Sequence, residues 1–114
     1  MTWADIVRVA TAWPEVVETT SYGTPSLKVG KAFLGRLRSD PDALVLRVSD
    51  MGEREALLQG DPEVFFTIPH YDGHPYVLIR LDRIGEELLG ELIEDAWRTR
   101  APKRLVAAWE AGRA

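Results

Sequence analysis

The side chains best equipped for chemistry sit in one stretch, Thr67-Ile68-Pro69-His70-Tyr71-Asp72-Gly73-His74-Pro75-Tyr76. It holds both histidines of the chain and two of its three tyrosines. Histidine titrates near neutrality, so it can act as a general base or a metal ligand. His70 and His74 are four apart with Asp72 between them. That spacing joins two histidines on one metal only when they share a helix face. Pro69, Gly73 and Pro75 exclude a helix, and a chain without cysteine has no thiolate to complete a ligand set. No serine or threonine stands in a nucleophile elbow. The spacing therefore assigns no catalytic residue, no metal and no cofactor. Read for structure, the stretch is a loop whose backbone the prolines and Gly73 set, with His70 and Tyr71 hydrogen-bonding over a sheet.

A second candidate is Ala101-Pro102-Lys103-Arg104. Pro102 suits the first turn of a helix. Cations at a helix N-terminus are locally unfavourable, and a bound phosphate or carboxylate would relieve them. A solvated corner is the plainer reading, because lysine and arginine are common on surfaces. A third stretch, Ser21-Tyr22-Gly23-Thr24-Pro25-Ser26, lacks the lysine and the spacing of a phosphate-binding loop and reads as a turn.

The elements that must position these residues follow from periodicity. Thr2 and Asp5 form a capping box for a helix over 2–12, with Trp3, Ile6, Val7 and Ala10 on its apolar face and Trp13 extending that stripe. Val16 to Tyr22 suits a short strand. Runs 26–29 and 32–38 flank Gly30-Lys31 as a hairpin. Ser39-Asp40-Pro41-Asp42 is a turn into a strand over 43–48. Alternation points Leu27, Val29, Phe33, Leu37, Leu44, Leu46 and Val48 inward, and Lys28, Arg36, Arg38 and Arg47 outward onto one face. The wet face of a half-buried sheet would carry such cations in any case. Asp50 and Glu53 cap a helix of about 51–59, with Met51, Ala56 and Leu57 on its apolar side. Val64–Thr67 is a strand or extended segment, and Tyr76–Leu81 is the last strand. Leu88, Leu89, Leu92, Ile93, Ala96 and Trp97 make a broad stripe on a long helix. A final helix after Pro102 turns Leu105, Val106 and Trp109 inward. The fold class is α+β: one domain over 1–114, an antiparallel sheet of about five strands packed with N-terminal and C-terminal helices.

At 114 residues the chain has room for one core. Its apolar runs are too short to span a bilayer. With no secretory signal and no cysteine, the cytoplasm is the expected location. The net charge of −4 weighs against a nucleic-acid binder. The charge is segregated, however. Thr19 to Ser39 holds Lys28, Lys31, Arg36 and Arg38 and no acid, and Ala96 to Trp109 holds Arg98, Arg100, Lys103 and Arg104 and no acid. An acidic chain can thus present a basic face.

Several blocks together resemble the MmcQ/YjbR family of small bacterial proteins. These are Trp13-Pro14-Glu15-Val16 after the first helix, Ser21-Tyr22-Gly23-Thr24-Pro25-Ser26-Leu27-Lys28-Val29, and Asp61-Pro62-Glu63-Val64-Phe65-Phe66. Pro69-His70-Tyr71 with Gly73, Pro75 and Tyr76 follows, then Ala96-Trp97 and Ala101-Pro102-Lys103-Arg104-Leu105. They keep the family's order over about residues 2–109. Tyr76 stands where the family often has tryptophan. The resemblance implies a double-wing or CyaY-like α+β fold, similar to the DNA-binding domain of a phage transcription factor, and on that analogy DNA binding. It carries over no catalytic residues.

Two functional expectations result; the first is a binding domain without catalysis, and the second leaves enzymatic activity open. In the first, Lys28, Arg36, Arg38 and Arg47, joined by Arg80, contact nucleic-acid phosphates, and Tyr71 and Tyr76 stack on bases. In the second, His70, Tyr71 and Tyr76 meet Lys103 and Arg104 in a pocket for a small molecule or anion. A protein–protein adaptor without specific chemistry is a third. No membrane partner is expected.

Overall fold

Thr2 and Asp5 open the chain with a reciprocal cap. The Thr2 amide donates to Asp5 Oδ2 (2.9 Å) and the Asp5 amide to Thr2 Oγ1 (3.2 Å). Two donors that a first helical turn leaves without partners are thereby satisfied. The helix they start, α1 (Trp3–Ala10), is shorter than the expected 2–12, with Thr11 as its C-cap. Trp13 therefore leaves the helical stripe and packs against Trp97 and Trp109, at centroid distances of 5.3 and 5.0 Å. These features belong to a computed structural model that describes residues 1–39 and 42–113.

Next comes a meander, β1 (Val16–Ser21), β2 (Thr24–Val29), β3 (Ala32–Arg38) and β4 (Ala43–Arg47). The β1–β2 turn places Tyr22 and Gly23 at φ 52° and 79°. Two successive positive values suit a type I′ turn, whose twist matches that of the flanking strands. Gly30 (φ 59°) makes the β2–β3 turn. The central residues of the turn expected at Ser39–Asp42, Asp40 and Pro41, lie outside the described residues. Then follow α2 (Met51–Gly60), β5 (Phe65–Phe66), a 3-10 turn at Pro69–Tyr71, β6 (Tyr76–Arg80), α3 (Glu86–Arg100) and α4 (Lys103–Arg113). All pairings are antiparallel in the order β1-β2-β3-β4-β6-β5. The domain is the α+β class expected, with six strands rather than about five because two-residue β5 also pairs.

One face of this sheet is closed by helices. Ile6 and Ala10 of α1, Leu89, Ile93 and Trp97 of α3, and Leu105 of α4 bury against Leu27, Val29, Leu34, Leu44, Leu46, Val77 and Ile79. The Trp97 indole also donates to Pro14 O (2.9 Å), tying α3 to the turn after α1. No helix among the described residues is long and apolar enough to cross a membrane.

Two expectations about facing are corrected. Leu27 pairs with Gly35 but Lys28 pairs with Phe33, so β3 carries one extra residue, Leu34. A bulge of one residue inverts the side-chain phase beyond it. Leu34 thus fills the core, fully buried, and Phe33 turns to the opposite face, beside Lys28. Burying a leucine there is worth about 1.5–3 kcal/mol. On α2 it is Arg54 that is buried, while Ala56 is exposed.

The bulge requires a glycine. A Cβ on Gly35 would stand 2.6 Å from Val45 O and 3.1 Å from Leu44 Cδ1. Gly35→Ala is expected to cost about 1–3 kcal/mol, read as a lower urea midpoint at unchanged m-value. A second expectation concerns Asp95 on α3. Partial desolvation first, then the carboxylates of Glu53 and Glu94, raise its pKa against the opposing pull of Arg98. A carboxyl whose pKa is higher folded than unfolded destabilises the fold when ionised and stops doing so as pH falls through the carboxylate range. Asp95→Asn should therefore stabilise at pH 7, by no more than about 0.5 kcal/mol for so exposed a site. The difference should vanish below about pH 3, where Asp95 is protonated in both states.

Candidate functional site

Among the described residues no helix covers the other face of the sheet, yet Ala43, Val45 and Leu78 lie at its centre and are fully buried. The loop between β5 and β6 closes over them. Phe66, Ile68, Tyr71 and Tyr76 pack onto this second apolar cluster. The loop is internally bonded: the Tyr71 amide donates to Ile68 O, Asp72 to Pro69 O and His74 to Tyr71 O, at 3.0–3.1 Å. Gly73 takes φ 78°, which side chains rarely adopt. The Val48 amide donates to Pro75 O (2.9 Å), fastening the loop's exit to the end of β4. The Tyr71 ring lands on the cluster, with its hydroxyl accepting from Arg36 Nη2 (2.6 Å).

Pairing register puts Lys28, Arg36, Arg38, Arg47 and Arg80 on this same face, in phase with Ser26, Val45, Ala43 and Leu78. Their engagements differ. Arg80 lies 4.2 Å from the Phe66 ring centroid. Arg47 lies 5.9 Å from that of Tyr76 and donates from Nε to Val48 O (3.1 Å). Ion pairs among the described residues involve Arg8, Arg54, Arg98 and Arg104, and none of these five cations.

Together the loop and the cationic strands enclose a concavity of about 880 Å³. Its floor is Lys28, Phe33 and Arg36; the β1–β2 tip around Tyr22 and, at the other end of β2, Lys31 in the β2–β3 turn border it, and the loop lines it through His70, Tyr71, His74 and Tyr76. Among the described residues, no aspartate or glutamate lines it. Four aromatic rings do, with Phe33 and Tyr76 6.2 Å apart and Tyr71 and Tyr76 5.3 Å apart. His70 stacks edge-on against Tyr71 at 4.8 Å and, like His74, is exposed. No cluster of three or more His, Asp or Glu residues suited to a metal occurs among the described residues.

The expected site residues therefore divide. His70, Tyr71 and Tyr76 meet Lys28 and Arg36 in the concavity. Arg38, Arg47 and Arg80 extend the same face outside its lining. Lys103 and Arg104 do not line it: both are exposed at the first turn of α4, with Arg104 3.9 Å from Glu15. Phe33 was expected in the core, and the bulge brings it here.

Two arginines from the helical side anchor the backbone of two ring-bearing residues. Arg54, 5% exposed, donates from Nε to Tyr76 O (3.0 Å) and from Nη2 to Thr67 Oγ1 (2.8 Å). Arg100, near the end of α3, donates from Nε to Phe33 O (3.1 Å). Neither had a distinguishing signal in the sequence; each looked like a helix-surface charge.

The fold and this open-faced concavity define the class, and comparison with known proteins gives the family. Residues 11–99 match the YjbR family. The chain belongs to that family, as the sequence blocks implied. Uncharacterized proteins of Mycobacterium bovis and Mycobacterium tuberculosis are each 38% identical over 122 aligned positions, covering 95% of this chain and 95% of theirs. The crystal structure of Deinococcus radiodurans protein DR2400, with a DUF419 domain, is similar at a TM-score of 0.71 and 28% identity, over 84% of this chain and 75% of that one.

Arg54 gives the site its test of construction. Arg54→Met should leave Tyr76 O without its donor at a buried position and lower stability by about 1–3 kcal/mol. Urea denaturation measures the loss, and Arg54→Lys should recover only part of it, since one ammonium cannot reproduce the guanidinium's fixed fork of donors.

Proposed function

We propose that the protein binds single-stranded nucleic acid, DNA being the reference ligand, across the open face of its sheet. The observation that carries this reading is the lining of the concavity. In a chain with 18 acidic and 14 basic residues, the described lining of the concavity combines three cations and the rings of Tyr22, Phe33, Tyr71 and Tyr76 with no carboxylate. Phosphates would pair with Lys28, Lys31 and Arg36, and Arg38, Arg47 and Arg80 would extend the track. Unpaired bases would stack on Phe33 and Tyr76, because every base has a π-face whatever its sequence. Arg36 already holds the Tyr71 hydroxyl, and Arg54 and Arg100 anchor the backbone of Tyr76 and Phe33, which lowers the ordering cost of binding. The family's resemblance to a DNA-binding double-wing domain points the same way. A chain without cysteine suits the cytoplasm, where such ligands occur.

One feature favours a second reading. The concavity's volume falls in the range of small-molecule pockets, roughly 300–1,000 Å³. A free mononucleotide could then be the whole ligand.

Fluorescence anisotropy with short labelled oligonucleotides tests both. Single-stranded DNA should bind at low salt and more tightly than duplex. Three phosphate contacts predict a slope of log affinity against log salt of roughly −2. Lys28→Ala/Lys31→Ala should weaken binding and flatten that slope by roughly one. No binding at low salt, or affinity indifferent to salt, would sink the nucleic-acid reading. A mononucleotide that binds as tightly as the oligonucleotide would move the conclusion to the small-molecule site.

A further inference from the structure

Tyr22 is the residue the fold explains least. It occupies the first central position of the β1–β2 turn at φ 52°, next to Gly23 at φ 79°. Such positions favour asparagine, aspartate or glycine, because a bulky side chain crowds the backbone there. Its side chain gains nothing from packing in return: Tyr22 is 101% exposed, whereas every other tyrosine and every tryptophan is at least half-buried. Among the described residues its hydroxyl makes no hydrogen bond and its ring stacks on no other aromatic ring. Yet Tyr22 is one of the residues that line that concavity, across from the loop that carries His70 and His74. A large ring held in strained backbone, fully solvated and beside a cationic floor, is an outlier of the kind that marks a ligand contact.

We infer that Tyr22 is the residue by which the site selects unpaired bases, stacking its ring on a base seated between the hairpin tip and the floor at Lys28 and Phe33. This inference rests on the nucleic-acid reading and names the residue that makes it strand-selective. Inside a duplex both faces of a base are already stacked on neighbours. Only a single strand can offer a free face to a side chain that projects from a turn. The turn suits the task. Its two-residue length and its pairing, Ser21 with Thr24 and Thr20 with Pro25, fix the tip relative to the floor. The Thr24 hydroxyl donates to Ser21 O (2.8 Å) and closes the turn across its base. The ring is therefore free to rotate about its own bonds while its anchor stays still. Its contact is with the base and not the phosphate, so its contribution is independent of salt.

The test uses the whole chain and three variants in the same anisotropy assay, with thermal melting alongside. Tyr22→Asn relieves the backbone strain and should melt at the same or a higher temperature than wild type. It should nevertheless bind a single-stranded oligonucleotide roughly tenfold more weakly, the loss of one stacked base. Its affinity for duplex should barely change, so the preference for single strands shrinks, and its salt slope should equal that of wild type. Tyr22→Trp should restore the affinity with the larger ring. Lys28→Ala/Lys31→Ala is the control for the site itself. If Tyr22→Asn binds like wild type while the lysine variant is impaired, the site stands and the role of Tyr22 falls. A Tyr22→Asn variant that is weakened equally for duplex and single strand, or whose salt slope flattens, also overturns it. Wild-type protein that binds no single strand at low salt removes both the reading and this inference.

Discussion

Ala43, Val45 and Leu78 lie at the centre of the sheet on the side where no helix packs, and their burial depends on the ring of Tyr71. An antiparallel sheet with helices on one face usually leaves the other to water. Here the middle of that face is apolar and its margin is cationic, so neither full exposure nor a second helical layer fits. The chain solves this with its own nine-residue connection, which folds back from β5 and lands Tyr71 on the centre. Arg36 then satisfies the Tyr71 hydroxyl, and that one bond joins the loop to the charged margin. The concavity is what remains of the face once the loop has covered its middle. Its shape follows from a problem of core burial, and its chemistry from the cations that the pairing register placed around it.

Much of this was legible in the sequence, for local reasons. The Thr2 and Asp50 caps, the hairpin at Gly30, the stripe on α3 and the wet-face phase of Lys28, Arg36, Arg38 and Arg47 each depend on neighbours a few positions away. What escaped depends on distant partners. Phe33 alternates with Leu37 in sequence, and it is a bulge beside Gly35, whose close approach to Val45 O only glycine permits, that turns it outward. Arg54 sits among Glu53, Glu55 and Gln59 on a helix of mixed polarity, and nothing nearby reveals that Tyr76 O and Thr67 will surround it. The Pro102 corner shares the loop's chemical character, but α4 begins beside Glu15 and outside the concavity's lining.

Net charge was a poor guide to the site because the acids are deployed elsewhere. Five acids between Glu86 and Asp95 lie along α3, on the helical side, and Glu86, Glu94 and Glu110 are spent on Arg8 and Arg98. Over a Debye length of about 8 Å the open face is governed by its own lysines and arginines. The local charge of the open face bears on how the domain meets a charged partner more than its total charge does.

The placement of aromatic residues has a spectroscopic consequence. Trp13, Trp97 and Trp109 form a triad with centroids 5.0–5.4 Å apart, and Trp3 packs on the same helical core. The open face carries only tyrosine and phenylalanine rings. Indoles this close exchange excitation energy, so the tryptophan emission behaves as one reporter for the joint between the first turn, α3 and α4. Tyrosine signals report the opposite surface. The two sides of this small domain can therefore be followed separately in one unlabelled sample: loosening of the helical layer through the indoles, and occupation of the open face through the phenols.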